Sequence, residues 1–420
     1  MKQKLITICL AIFLITAIST NISNAADKTW TGGGADSDWS TGANWNSGEP
    51  GSGDNAIINN GGAVQITQSG EVASELFLTN STVDMTGGAL STNFENVGLW
   101  GTGTFNQTGG INSVSDFLYL GTNSGASGIY NLSGGNLSTR VTYSGYIGTG
   151  IFNQSGGTFN VQQQLTISAL AGNGTFNLSG SGNLITDEVF IGANVNTSGT
   201  FNQTGGTNTS NRVRIGSYGS GTYTISGGTL STTDVNGTGT LSINGGTVNT
   251  NYININTLNV ASSAGTNGSH TLETGEEIWA GNENIGNSGS GTFTQTGGTN
   301  TISSGLFIGH NAGSSGTYSL SGTGVVSAAD EYVGRYGTGT FTQTGGTNTV
   351  SNRLYLGTYS GASGTYDLSG SSDVSANIFY FGNAGTGEFN QSGTSTATTN
   401  ELWLGYYSGG NATYNLSETG

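Results

Sequence analysis

Two stretches of this chain are near copies of one another. "GTFTQTGGTNTISSGLFIGHNAGSSGTYSLSG" covers residues 291–322 and "GTFTQTGGTNTVSNRLYLGTYSGASGTYDLSG" covers 339–370. Units opening with GTF, GTY or a close variant begin at Gly103, Gly128, Gly150, Gly174, Gly199, Gly221, Gly239, Gly291, Gly316, Gly339, Gly364 and Gly387, with weaker versions near Ser81, Gly268 and Ala412. Most steps are 22 to 25 residues, and the pair-to-pair period from Gly291 to Gly339 to Gly387 is 48. Repeats of this length mark a solenoid or a propeller.

Each unit reads as three short strands separated by turn residues: "TFTQT", "TNTV" and "RLYLG". Alternation places Phe341 and Gln343 on one face of the first strand, where sister units carry Tyr366 and Leu368, so this face points inward. In the third strand Leu354 and Leu356 face inward and Tyr355 outward. One such coil cannot fold alone. Ordering it costs roughly 24–48 kcal/mol of backbone entropy, and each inward side chain returns only ~1.5–3 kcal/mol. Stacking closes the gap by pairing every strand above and below. The expected fold is therefore all-β: a right-handed parallel β-helix (β-solenoid) of about fourteen coils, about 65 Å long at ~4.8 Å per coil. A four-stranded propeller blade of 48 residues is the alternative. The half-period is nearly as strong as the full one, and no kelch or WD signature is present.

Composition agrees with an ordered repeat. The chain has 76 glycines, one proline (Pro50) and 8% charged residues, against ~25% in an average domain. Apolar residues recur at fixed places, which a disordered linker has no reason to maintain. Residues 1–25 read as a signal peptide: Lys2 and Lys4, the apolar run "LITICLAIFLITAI", then "SNA". That run is short for a membrane span, and the mature chain is expected to have no transmembrane segment. Cys9 is the only cysteine and falls in the leader, so no disulfide is expected. Beyond the leader, Lys28, Arg140, Arg212, Arg214, Arg335 and Arg353 face 24 acids. This balance argues against nucleic acid and against anionic membranes as partners.

Residues 26–62 hold Trp30, Trp39 and Trp45 and read as an N-terminal cap over an otherwise sticky solenoid end. Residues 63–420 read as the repeat domain. The sequence stops at "YNLSETG", partway through a coil, so the domain is expected to be truncated or open there.

The opening "WTGGGADSDWSTGANW", the following "GDNAIINNGG" and the "GTFNQTGG" and "GTYSLSG" units resemble bacterial surface proteins with autotransporter-associated β-strand repeats; related repeats occur in exported proteins with a PEP-CTERM sorting tail. The resemblance covers nearly all of the mature chain. It implies an exported β-helix with an adhesive or surface-layer role. The translocator barrel and sorting tail of such proteins are not in this sequence.

The same frame sorts the side chains that could carry function. The inward column Phe105, Tyr130, Phe152, Phe176, Phe201, Tyr223, Phe293, Tyr318, Phe341, Tyr366, Phe389 and Tyr414 is expected to be core. Gln107, Gln154, Gln203, Gln295, Gln343 and Gln391 also point inward and need hydrogen-bond partners, which the sequence does not name. The outward position of the third strand reads Phe77, Tyr119, Tyr146, Phe190, Trp279, Phe307, Tyr332, Tyr355, Tyr380 and Trp403, interrupted by Thr166 and Arg214. Stacked, these would form an aromatic stripe, either covered by the following loops or free to bind glycans or other copies of the chain. Acids and arginines on adjacent coils, Glu188 with Arg212 and Asp330 with Arg353, are expected to pair at solvated corners. "GGGADSD" is a single copy and reads as a cap loop rather than a calcium turn. His270 and His310 lie in different coils, and neither a paired-carboxylate nor a Ser-His-Asp set assembles. No catalytic residue, cofactor or metal site is expected. Rows such as Thr340-x-Thr342-x-Thr344 lose their middle threonine to asparagine in many coils, which spoils an ice-binding lattice. The expected function is a secreted or cell-surface stalk, adhesin or matrix protein; a self-assembling fibre protein is the alternative, and a polysaccharide-degrading β-helix enzyme the second.

Overall fold

The computed structural model describes residues 25–417, so all but the last residue of the expected leader lies outside the described residues. Parallel strands stack into a β-solenoid of about sixteen turns, two more than the sequence spacing gives, with one three-residue 3-10 turn as its only helix among the described residues. The additional turns lie at the start, where Asn55–Ile58 and Glu75–Leu78 already pair in ladder register ahead of the first clear GTF unit. The ladder thus begins inside the segment read as cap. What covers its end is a tryptophan cluster. Trp30 and Trp39 both meet Trp45 edge-on at 5.1 and 4.9 Å, and Trp45 Nε1 donates to the Trp39 carbonyl at 2.8 Å.

One coil shows how the repeat folds. Thr338–Gln343 forms the first strand, a glycine turn follows, and Thr347–Leu356 bends between Val350 and Arg353 into two arms on two faces. The next coil repeats this in register, so that Gly339, Phe341 and Gln343 sit beneath Gly364, Tyr366 and Leu368. Phe341, Gln343, Val350, Leu354 and Leu356 are all buried. The inward aromatic rings stack on one another at 4.4–5.3 Å from Phe105 to Tyr223 and from Phe293 to Phe389.

A glycine closes the corner after the third strand because nothing else fits easily. Gly334 has φ +71°, and a Cβ built there would lie 2.0 Å from the Ser363 carbonyl oxygen of the next coil. At two equivalent corners Ser168 (φ 69°) and Ala261 (φ 60°) take the left-handed conformation without being glycine, a strain of about 1–3 kcal/mol each.

The structure also explains the 48-residue period. Each inward glutamine but Gln154 is followed, one coil later, by a tyrosine whose hydroxyl donates to it. Tyr130 meets Gln107, Tyr223 Gln203, Tyr318 Gln295, Tyr366 Gln343 and Tyr414 Gln391, each at 2.6 Å. The glutamine amide then donates to two backbone carbonyls, for Gln343 those of Gly346 and Asp373. A coil that carries glutamine thus requires a different coil above it, and two coils make one unit. The exception is consistent: Gln154 is followed by Phe176, and its Oε1 is left without a partner.

The stack contains one fault. Up to Gly239 each GTF-type strand lies on one face (A), the strand after the glycine turn on the next (B) and the apolar third strand on the last (C). Between Gly239 and Gly268 the chain runs through four strand segments instead of three: Thr240–Ile243, Thr247–Asn249 and the two arms of Tyr252–Val260. The arm 252–254 pairs with Asp234–Asn236 on face C, and the arm 257–260 pairs with Thr240–Ile243 on face A. Glu277–Ile285 and Thr299–Ile308 build on those same faces. From there onward third strands occupy face A, second strands face C and GTF strands face B. With three faces and four segments, the repeat has advanced by a third of a turn.

Candidate functional site

The fault divides the outward aromatic residues into two groups on different faces. On face C the register runs Phe77, Asn96, Tyr119, Tyr143, Thr166, Phe190, Arg214, Asn236, Asn254, Trp279, Thr301. On face A it runs Ser242, Asn259, Asn284, Phe307, Tyr332, Tyr355, Tyr380, Trp403. Tyr119, Phe190 and Trp279 therefore share a column with each other but not with Phe307, Tyr332, Tyr355, Tyr380 and Trp403. The single stripe drawn from the sequence assumes an unbroken frame, and the extra strand segment breaks it. The column residue between Tyr119 and Thr166 is Tyr143; Tyr146 sits at the corner and meets Tyr119 and Tyr143 edge-on at 5.0 and 5.2 Å.

The face A group is the more regular. Phe307, Tyr332, Tyr355 and Tyr380 follow one another at 5.0, 4.9 and 4.9 Å with planes within 14° of parallel, and Trp403 follows at 6.2 Å. Near-parallel rings this close overlap face to face with an offset. Their faces are therefore turned along the solenoid axis and cover each other, while their edges point to solvent. Tyr336 and Tyr359, from the loops beside the column, are exposed and stack at 4.2 Å, so the loops flank the column without closing over it. The Arg335 guanidinium lies 5.0–5.5 Å from the ring centres of Phe307, Tyr332 and Tyr336, and its Nη1 donates to His310 Nε2 at 3.1 Å. Burial, and then that guanidinium, hold the His310 pKa down to about 4. The imidazole is neutral at pH 7 and accepts the bond.

The face C group is shorter and less uniform. Phe94, Phe117, Tyr119 and Tyr143 form a patch with centroid spacings of 5.4–5.7 Å, and Arg140 caps Phe117 at 4.6 Å. Phe190 is covered by Arg214 at 5.2 Å. Trp279 is 47% exposed and stands apart, lining a shallow hollow of about 310 Å³ with Asn254 and Thr301. Glu188 pairs with Arg212 at 2.7 Å as the sequence indicates, and Arg212 bridges on to Asp234 at 3.1 Å. Asp330 and Arg353 are register partners but form no ion pair among the described residues. Across the outer side of face A, asparagines form an amide ladder from Asp84 through Asn106, Asn131, Asn153 and Asn177 to Asn202, each step 2.7–3.0 Å.

Three carboxyls lie in the core itself. Glu95, Glu283 and Glu331 are fully buried, and desolvation pushes each pKa up to about 7. Glu331 Oε2 accepts from Asn348 Nδ2 at 2.9 Å; Asn348 Nδ2 also reaches the Tyr366 hydroxyl at 3.1 Å, which leads to Gln343. Glu283 with Asn300 and Tyr318, and Glu95 with Asn112 and Tyr130, repeat this arrangement. The signal in the sequence is the 48-residue spacing of Glu283 and Glu331 in step with the glutamines. The groups are sealed in the core, away from solvent. Among the described residues no group of three or more His, Cys, Asp or Glu side chains is placed to hold a metal ion, and no helix is long and apolar enough to cross a membrane.

No family model, curated protein or solved structure matches this chain.

Proposed function

We propose that the protein is a structural element of a cell exterior, a rigid β-solenoid stalk or matrix component exported through its N-terminal leader. The observation that carries this reading is the like-on-like stacking along the axis. The core aromatic rings, the asparagine ladder and the face A ring column each repeat one contact over several successive coils, within a stack of about sixteen turns that is about 75 Å long at ~4.8 Å per turn. Such a surface offers extent and stiffness, and its longest outward features are rows. The repeat's resemblance to autotransporter-associated β-strand repeats supports the same assignment, as does the leader-like sequence.

Glycan binding by the face A column is a weaker form of this reading. A sugar ring stacks on an aromatic face, and the faces of Tyr332 and Tyr355 are taken by their neighbours on both sides. The ring column is a stabilising ladder under this proposal. The test is a glycan array on residues 26–420, run beside hydrogen exchange of Tyr355→Ala and Tyr380→Ala. The structural reading expects no retained glycan and faster exchange in the C-terminal coils. Retention that both alanine variants abolish, with exchange unchanged, would make the column a binding platform instead.

A further inference from the structure

The fault leaves one opening in the solenoid wall, and its chemistry is specific. Thr247–Asn249 pairs on one side with residues 229–231, and Asn267–Leu272 pairs on one side with Ser290–Gln295. These two strands follow each other on face B, yet no backbone hydrogen bond joins them, and they stand more than 8 Å apart over most of their length. Among the described strands, every other one inside the stack has a neighbour on both sides. Between the two lies a cleft of about 520 Å³ lined by both strands and by Glu273 and Glu276.

In a parallel ladder, successive residues turn their N–H and C=O to opposite neighbours. The Thr232 N–H donates to the Asn249 carbonyl and the Thr296 N–H to the Leu272 carbonyl, each at 3.0 Å. Asn249 and Leu272 therefore face away from the cleft. It follows that the backbone groups of Val248 on one wall, and of Ser269 and Thr271 on the other, point into it. The cleft also reaches the core. Val248 stands above Leu230, which is fully buried, yet Val248 is only half-buried. His270 occupies an inward ring position beneath Phe293 and lines the same space.

We propose that this cleft binds an extended, cationic segment of another polypeptide, which adds as a strand to the free edge of Asn267–Leu272. The backbone edges select an extended peptide over a compact ligand, because their donors and acceptors are spaced for a strand. Val248 calls for one apolar side chain directed inward. Glu273 and Glu276 on the rim call for Lys or Arg beside it. A second copy of this chain supplies the charge poorly, with six basic residues beyond the leader. The proposal is independent of the stalk reading.

The experiment uses residues 26–420 and a labelled five-residue probe, Thr-Lys-Val-Lys-Thr, whose lysines alternate with the inward valine and so face the rim, with a counterpart carrying proline at the centre. The expected result is saturable binding of the first probe and none of the second, since proline removes the central donor. Glu273→Lys with Glu276→Lys should weaken binding about fivefold, the worth of two exposed charge pairs. Hydrogen exchange on the free protein should show the amides of Val248, Ser269 and Thr271 unprotected, and the probe should slow them at least tenfold. Absence of saturable binding, equal binding of the proline probe, or amides already protected in the free protein would each overturn the proposal.

Discussion

The coils before the fault and the coils after it are written in the same repeat but are mounted differently. Before it, GTF strands build face A and carry the asparagine ladder. After it, the same strands build face B, and face A carries the aromatic column. A single extra strand segment between Gly239 and Gly268 makes the change. The coil's composition is thus a local property, whereas its orientation is inherited from the coil beneath. A solenoid with three equivalent faces accepts a frame advance of one face because each strand needs only an in-register neighbour, and any apolar alternating strand supplies that.

The two regions also differ in buried charge, which gives the largest expected effect. Of the fully buried carboxyls, Glu283 and Glu331 lie after the fault and Glu95 before it; Glu71, beside the cap, is buried as well. Each of the first three has a folded pKa near 7 and an unfolded value near 4.5. Between those values the folded state holds a proton that the unfolded state has released, so stability falls as pH rises from 4.5 to 7 and is fully present only below 4.5. The loss is on the order of 3 kcal/mol per group. Hydrogen exchange from pH 5 to 8, corrected for intrinsic rates, should show coils after residue 277 loosening more than those near Glu95. Glu283→Gln together with Glu331→Gln should remove that excess. A uniform pH response along the stack would show that these carboxyls are not the cause.

A corner glycine probes what the regular stack demands. Gly334→Ala meets both a left-handed φ and the Ser363 carbonyl, and should cost about 3 kcal/mol or more, read as a lowered thermal midpoint. Gly121→Ala, before the fault, faces the Thr149 carbonyl at 2.1 Å and should cost the same. Unequal losses would mean that the two regions differ in packing as well as in mounting.

Tyr366→Phe leaves Gln343 Oε1 buried and unpaired, an expected cost of about 1–3 kcal/mol in urea denaturation. The coil with Gln154 is the natural counterpart: Phe176 follows it, Phe159 replaces the asparagine found at position 348 and stacks on Phe152 at 4.6 Å, and Gln154 Oε1 is unpaired. Phenylalanine stands in for both polar partners there, which a single substitution does not reproduce. The smallest effect is at the fault itself: Ala261→Gly relieves a left-handed alanine and should raise stability by about 0.5–1 kcal/mol. A loss there would show that the side chain at 261 holds the displaced coil in place.

Much of this was legible in the residues. The spacing of the GTF units specifies a stacked β-coil, alternation specifies that Phe341 and Leu356 face inward, and the missing Cβ at Gly334 marks a corner. The glutamine partners were legible in principle, since each tyrosine stands one coil after its glutamine, but only once coils are placed in register. The candidate site was legible only in part. Tyr332, Tyr355 and Tyr380 belong to one column because no strand intervenes between their frames; Phe190 does not join it because a fourth segment does, and Trp279 does not because it lies on a second strand, in register with Thr301.

By itself, the sequence determined what each coil is made of and which side chains it buries, because inward and outward alternate along a strand whatever lies around it. Which coils share a face, whether aromatic faces are open or covered, and where the wall parts were decided by the tertiary structure. Those properties depend on the accumulated count of strands around the axis, and no single repeat contains that count.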